Sequence, residues 1–208
     1  MESDVKGLEK FTYVRLAEVL SQKNAVPGEA ITDALYAQDK YGDPFVQTIV
    51  AGGHITEWDL AKLVAENFQL PFIMASNYAI ADEAKKRLPE KVLFENLLVP
   101  LDLFEDVICI VMPILTSFEV MMRIQKDTKV EVFPYVGLVS ENKKILGTMF
   151  PAFKGWFENE QKRRELKATT RSHTKGRDAK GNWMSIFDAG DQAIQDGLNI
   201  PKKQPGRG

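Results

Sequence analysis

Catalytic and metal centres are built most often from histidine, cysteine and paired carboxylates, and this chain of 208 residues holds two histidines and one cysteine. His54 and His173 stand far apart in sequence, and with a single cysteine no zinc-ligand spacing is met. Cys109 sits between Ile108 and Ile110 in an apolar run, which reads as a buried structural thiol, and alone it cannot close a disulfide within the chain. Glu105 and Asp106 are adjacent in a turn-like stretch, where solvation accounts for them better than acid–base work does. Gly176 and Gly181 have the spacing of a phosphate loop, but Asn182 and Trp183 follow where a lysine and a hydroxyl would hold phosphate and magnesium. The residues therefore point to a protein that is not an enzyme, with no cofactor and no metal, and binding becomes the function to look for.

Charge and hydropathy narrow the setting. Residues 1–159 hold 16 basic and 23 acidic side chains, a net of -7, whereas residues 160–208 hold 11 and 6, a net of +5. Lys162, Arg163, Arg164, Lys167, Arg171, Lys175 and Arg177 could meet an anionic surface, or equally complement an acidic body. Nucleic acid is not the expected partner. Apolar runs such as residues 107–115 fall well short of the roughly 20 residues that cross a bilayer. The acidic opening Met1-Glu2-Ser3-Asp4 does not read as a secretory signal, so the expected location is cytoplasmic.

The elements that would position a binding site begin with a doubled pattern. Leu16, Val19 and Leu20, then Ile31, Ala34 and Leu35, fall three and four apart, as on one face of a helix, with Pro27-Gly28 breaking the run. Phe45, Ile49 and Val50, then Leu60 and Val64, repeat the plan around Gly52-Gly53, with Thr56 as the expected N-cap of the last helix. An offset of 29 residues lays Leu16 on Phe45, Leu20 on Ile49, Val26 on Ile55, Ile31 on Leu60 and Leu35 on Val64. Special positions agree less well: Arg15 meets Pro44, Asn24 meets Gly53, and Gln38 meets Asn67. Two helix-turn-helix units of this size would pack as a four-helix layer.

From residue 70 the texture turns to α/β: an extended run at 70–73, a helix over 82–88, strands over 106–112 and 129–136, a helix capped by Ser117, and another capped by Ser140. Residues 156–167 read as a helix and 168–182 as an exposed linker; 183–187 form an apolar island in which Trp183, Ile186 and Phe187 are candidate partner-binding residues. The expected class is α+β. It comprises a tandem helical subdomain (1–69), a small α/β sheet subdomain (70–150) and a basic C-terminal extension (151–208).

Residues 11–150 together resemble the N-terminal domain of the secretion and pilus assembly ATPases, the GspE/PilB/MshE group, called MshEN. That family carries twice in tandem a motif close to Arg-Leu-Gly-x-x-Leu, then Gly, then Leu and Gln at helical spacing. The first copy here reads Arg15-Leu16-Ala17-Glu18-Val19-Leu20, then Asn24, Ile31, Leu35 and Gln38; the second reads Pro44-Phe45-Val46-Gln47-Thr48-Ile49, then Gly53, Leu60, Val64 and Asn67. Leu88-Pro89, Val99-Pro100-Leu101 and Met112-Pro113 look like the family's second half. In the best known members the tandem motif binds cyclic di-GMP, so the resemblance implies Arg15, Leu16, Leu20, Leu35, Gln38 and Gly53 as candidate ligand contacts. It also marks the departures: Ala17 and Asn24 replace glycines and Pro44 replaces the second arginine. The family's ATPase motor is not expected in this chain. The resemblance thus implies an adaptor or regulator of a secretion, type IV pilus or motility system that acts through a protein partner, the alternative being a cyclic di-GMP effector that switches one.

Overall fold

The computed structural model describes the backbone of residues 6–172 and the side chains of residues 12–166. Four helices come first: α1 (Lys6–Gln22), α2 (Gly28–Tyr41), α3 (Phe45–Ala51) and α4 (Glu57–Phe68). A 3-10 turn (Ala75–Asn77) and two short helices, α5 (Asp82–Arg87) and α6 (Glu90–Asn96), lead into strand β1 (Val99–Phe104). β2 (Val107–Pro113), α7 (Phe118–Thr128), β3 (Glu131–Gly137), α8 (Val139–Met149) and α9 (Pro151–Ser172) follow. The protein is α+β as its periodicities require, a tandem helical layer followed by a small sheet with helices.

Local chemistry explains most boundaries. The Thr56 hydroxyl accepts the Asp59 amide at 3.1 Å and the Ser117 hydroxyl accepts that of Val120, each satisfying a donor that an open helix start would leave bare. α8 differs from expectation. It begins at Val139, so Ser140 lies in its first turn rather than at its cap, and the Ser140 amide and hydroxyl both donate to the Glu57 carboxylate of α4, at 3.1 and 2.8 Å. α9 also differs, running on to Ser172 where a linker was expected from residue 168. Its first two turns pack Phe153, Trp156 and Phe157 on the core, and pairs one turn apart, Glu160 with Arg163 at 2.7 Å and with Arg164 at 3.2 Å, support the polar stretch that follows.

β2 is central in the sheet, which explains its unbroken apolar text: it pairs antiparallel with β1 through the Glu105-Asp106 turn and parallel with β3 through the α7 crossover. Residues 70–73 do not form a full strand. Phe72 instead bridges Val136 in parallel, with Ile73 N–H donating to Val136 O at 2.9 Å and Val136 N–H to Pro71 O at 2.8 Å. One continuous cluster of buried side chains runs from Leu16 and Phe45 through Ile110 to Phe153. Fully buried Asn142 of α8 fastens it, its amide donating to Leu97 O at 2.8 Å and Val111 O at 3.0 Å. Beside it Gly137 is obligatory, because a Cβ there would stand 2.3 Å from the Val111 side chain.

The chain divides into two units, residues 1–158 and 159–208. Of the second, the described part is the end of α9. Trp183, Ile186 and Phe187 lie outside the described residues. Among the described residues no helix is long and apolar enough to cross a membrane.

Candidate functional site

The two helix-turn-helix units correspond in burial and in main-chain detail. Leu16 and Phe45 have no exposed surface; Leu20 and Ile49, and Ile31 and Leu60, are buried as pairs. The same offset carries Asn24 N–H to Ser21 O at 3.0 Å onto Gly53 N–H to Val50 O at 3.1 Å, and Ile31 N–H to Pro27 O onto Leu60 N–H to Thr56 O. Most telling are the turns. Asn24 has φ of 50° and Gly53 has φ of 72°, so the residue that mismatches its counterpart in type matches it in conformation. Asparagine is among the few side chains that enter the left-handed region readily, because its short amide bonds locally. Residues of different type hold the same turn.

The candidate contacts separate into groups. Leu16 and Leu20 are wholly inside the core, and Leu35 is half-buried against it. These three hold α1 and α2 together. Gly53 is exposed in its turn, with open space where a Cβ would stand. Arg15 is exposed on α1 and reaches across to the second unit, its guanidinium 4.9 Å from the centre of the Phe68 ring at the end of α4. That separation gives a cation–π contact. Gln38 is half-buried on α2, and its Oε1 is buried without a hydrogen-bond partner. A buried acceptor left open is unusual, because its lost hydration has no replacement. Among its candidate contacts the first unit thus offers one exposed cation, Arg15, and one unsatisfied amide oxygen, that of Gln38.

The equivalent positions of the second unit offer neither. Pro44 stands at the arginine position and is also the N-cap of α3, with its carbonyl accepting the Thr48 amide and hydroxyl at 3.0 Å. Proline is tolerated at a helix start and not within one, so Pro44 marks the start of α3. α3 has 7 residues against 17 in α1 because α2 runs to Tyr41 and ends at its left-handed C-cap Gly42, only three residues before it. Asn67, the counterpart of Gln38, turns its amide back to Leu63 O at 2.8 Å on its own helix. The frame corresponds to that of the first unit, and the surface chemistry does not.

No protein-family model matches the sequence, and no curated protein matches it either. Solved structures do. A structure of the N-terminal domain of XpsE superposes with a TM-score of 0.54 at 19% identity, over 65% of this chain and 94% of that one. A structure of MshE with cdg, cyclic di-GMP, superposes with a TM-score of 0.51 at 18% identity, over 64% of this chain and 96% of that one. Their fold is this chain's fold. The likeness to MshE and to the XpsE domain spans nearly the whole of each of those chains, so both the helical layer and the sheet belong to the shared architecture. At these identities the likeness speaks for the fold alone.

Within the MshE-like frame, two features escaped sequence reasoning. Phe68 falls four residues after Val64 on the apolar stripe of α4, and that spacing was the available signal for the platform under Arg15. The bond from Ser140 to Glu57 joins residues 83 apart and leaves no local trace. Among the described residues, no group of three or more His, Cys, Asp or Glu could hold a metal ion.

Proposed function

We propose that this chain works by binding, as a cytoplasmic adaptor or regulatory domain of a secretion, type IV pilus or motility assembly, without catalysis of its own. The observation that carries the reading is the unequal wear of the two units: equivalent turns and equivalent core positions, with Pro44 where a second cation would stand. A two-fold dinucleotide needs both halves of its site. A charge-assisted phosphate contact is worth about 1.5 to 3 kcal/mol, roughly ten- to a hundredfold in affinity. Contact with Phe68 further gives Arg15 a competing partner inside the protein, at about 0.5 to 1 kcal/mol for an exposed cation–π pair. The unit then serves as a scaffold that presents the rest of the domain to a protein partner.

One arrangement favours a second reading, a cyclic di-GMP effector. Arg15 is solvent-exposed, Gln38 Oε1 awaits a donor, and Asn24 holds the left-handed turn that glycine would hold. Calorimetric titration of the full chain with cyclic di-GMP separates the two. The adaptor reading expects no heat of binding at micromolar protein, together with a specific protein retained on pull-down. Micromolar or tighter binding, abolished by Arg15→Ala, overturns it in favour of the effector.

A further inference from the structure

We infer that the buried turn joining β2 to α7 is a strained two-position hinge, and that α1 clamps it in its strained position. The hinge needs neither a partner nor a nucleotide, so it holds under either functional reading. Its centre is Ile114, wholly buried at φ of 68°. Six residues other than glycine take a positive φ among the described residues. Gln69, Leu97 and Lys129 end helices, and Asn24 and Glu105 lie in exposed turns. Ile114 does neither, and it is the one β-branched side chain among the six, the kind that fits the left-handed region worst. Leu115 N–H donates to Pro113 O at 2.9 Å, closing a three-residue turn on Ile114, a rare and strained form. A residue so placed persists only where its surroundings over-determine it.

Other unmet costs gather in the same segment. Residues 111–117 are buried without a break. Of the five buried side-chain oxygens that lack a hydrogen-bond partner among the described residues, two are the Thr116 hydroxyl and Oε2 of Glu119. Glu119 is 8% exposed, and its other oxygen accepts from exposed Arg123 at 3.2 Å. Movement of the start of α7 towards solvent relieves all three, since Ile114 regains a common backbone conformation and both oxygens meet water. The opposing hold comes from the sheet and from α1. Ile114 N–H donates to Met112 O at 2.9 Å and to Gly137 O at 3.0 Å, and its side chain fills the core. The Thr12 hydroxyl of α1 accepts the Phe118 amide, the first of α7, at 3.3 Å across 106 residues. A helix start leaves such an amide without a partner of its own, so α7 depends on α1 there. Thr12 stands one turn before Arg15 on the same helix. Displacement of α1 therefore releases the start of α7, and the position of α7 reports on α1.

Relaxation-dispersion NMR on the nitrogen-labelled full chain tests this, with urea midpoints to confirm that each variant folds. The parent is expected to show a minor state confined to the amides of residues 114–120. Thr12→Val removes the acceptor and should raise the population of that state about three- to tenfold, the worth of one hydrogen bond. Thr12→Ser keeps the hydroxyl and should behave as the parent does. Ile114→Leu keeps the bulk without the β-branch, and leucine already takes φ of 50° at Leu97, so it should lower the population roughly twofold or more. A flat profile in both the parent and Thr12→Val, or a change spread evenly over β2 and α8, overturns the hinge. So does a minor state that Ile114→Leu leaves unchanged, because strain is then not its source. Thr12→Ser moving the population as far as Thr12→Val does overturns the clamp. If Thr12→Val fails to fold, the parent against Ile114→Leu decides alone.

Discussion

The two helix-turn-helix units share one plan in their cores and turns and differ on their surfaces. In the first, α1 runs for 17 residues and carries Arg15 on its surface; in the second, α3 starts at Phe45 because Pro44 precedes it. Core positions and turn conformations correspond across the 29-residue offset, whereas surface chemistry does not. The difference shows which part of a repeat is set by packing and which is free to drift. A side chain at Leu16 or Phe45 must fill its space in a close-packed interior, and the turn residue must take a positive φ, while exposed Arg15 rests on the Phe68 ring alone.

The severest challenge to the correspondence is truncation of its paired core residues. Leu16→Ala is expected to cost about 2 to 5 kcal/mol and Phe45→Ala about 3 to 5 kcal/mol, measured by urea unfolding. Each should shift a single transition, because both side chains lie in one continuous core. Two separate transitions would show that the units are independent. Next comes restoration of the lost cation. Pro44→Arg is expected to raise affinity for cyclic di-GMP by roughly ten- to a hundredfold in calorimetry, the worth of one charge-assisted contact. No gain would mean that the second half-site is absent for reasons beyond Pro44.

The turns give a smaller and sharper comparison. Asn24→Val and Gly53→Val should each cost about 1 to 2 kcal/mol, the strain of a β-branched residue forced to a positive φ, whereas Asn24→Gly should stay within a few tenths. A silent Asn24→Val would end the equivalence of the two turns. Smallest is a control outside both units. Burial, the first cause, raises the pKa of the Cys109 thiol above its ordinary value, although a hydrogen bond with Tyr135 works the other way. A raised pKa means the fold favours the protonated thiol. Its contribution is therefore fully present below the ordinary thiol range and is lost as pH rises through the folded value. Urea midpoints at pH 7 and pH 10 should differ less in Cys109→Ala than in the parent, and iodoacetamide should modify native Cys109 slowly at pH 8.

Much of the fold was legible because apolar periodicity and capping are local. Leu16, Leu20, Ile31 and Leu35 announced their helices, Thr56 and Ser117 marked true starts, and the strand expected over 106–112 is β2, Val107–Pro113. What stayed hidden was either conformational or distant. Asn24 looked like a failed glycine because residue type was compared where φ is what the turn selects. Ser140 looked like a cap because nothing nearby shows that Glu57 claims its hydroxyl. α9 runs on to Ser172 past its expected end, because the polar text of residues 168–172 carries no apolar period from which a helix could be read. Of the candidate site, the positions were legible, but not that Arg15 lies over Phe68 or that Gln38 Oε1 is unsatisfied, since both depend on how α1, α2 and α4 meet.

The short bridge at Phe72 couples the halves of the domain mechanically. Two main-chain bonds, between Ile73 and Val136 and between Val136 and Pro71, stitch the segment leaving α4 to the edge of the sheet. Any swivel of the helical layer against the sheet has to unzip that seam. Deuterium uptake at the Ile73 and Val136 amides is therefore a gauge of whether a partner pulls on one half through the other.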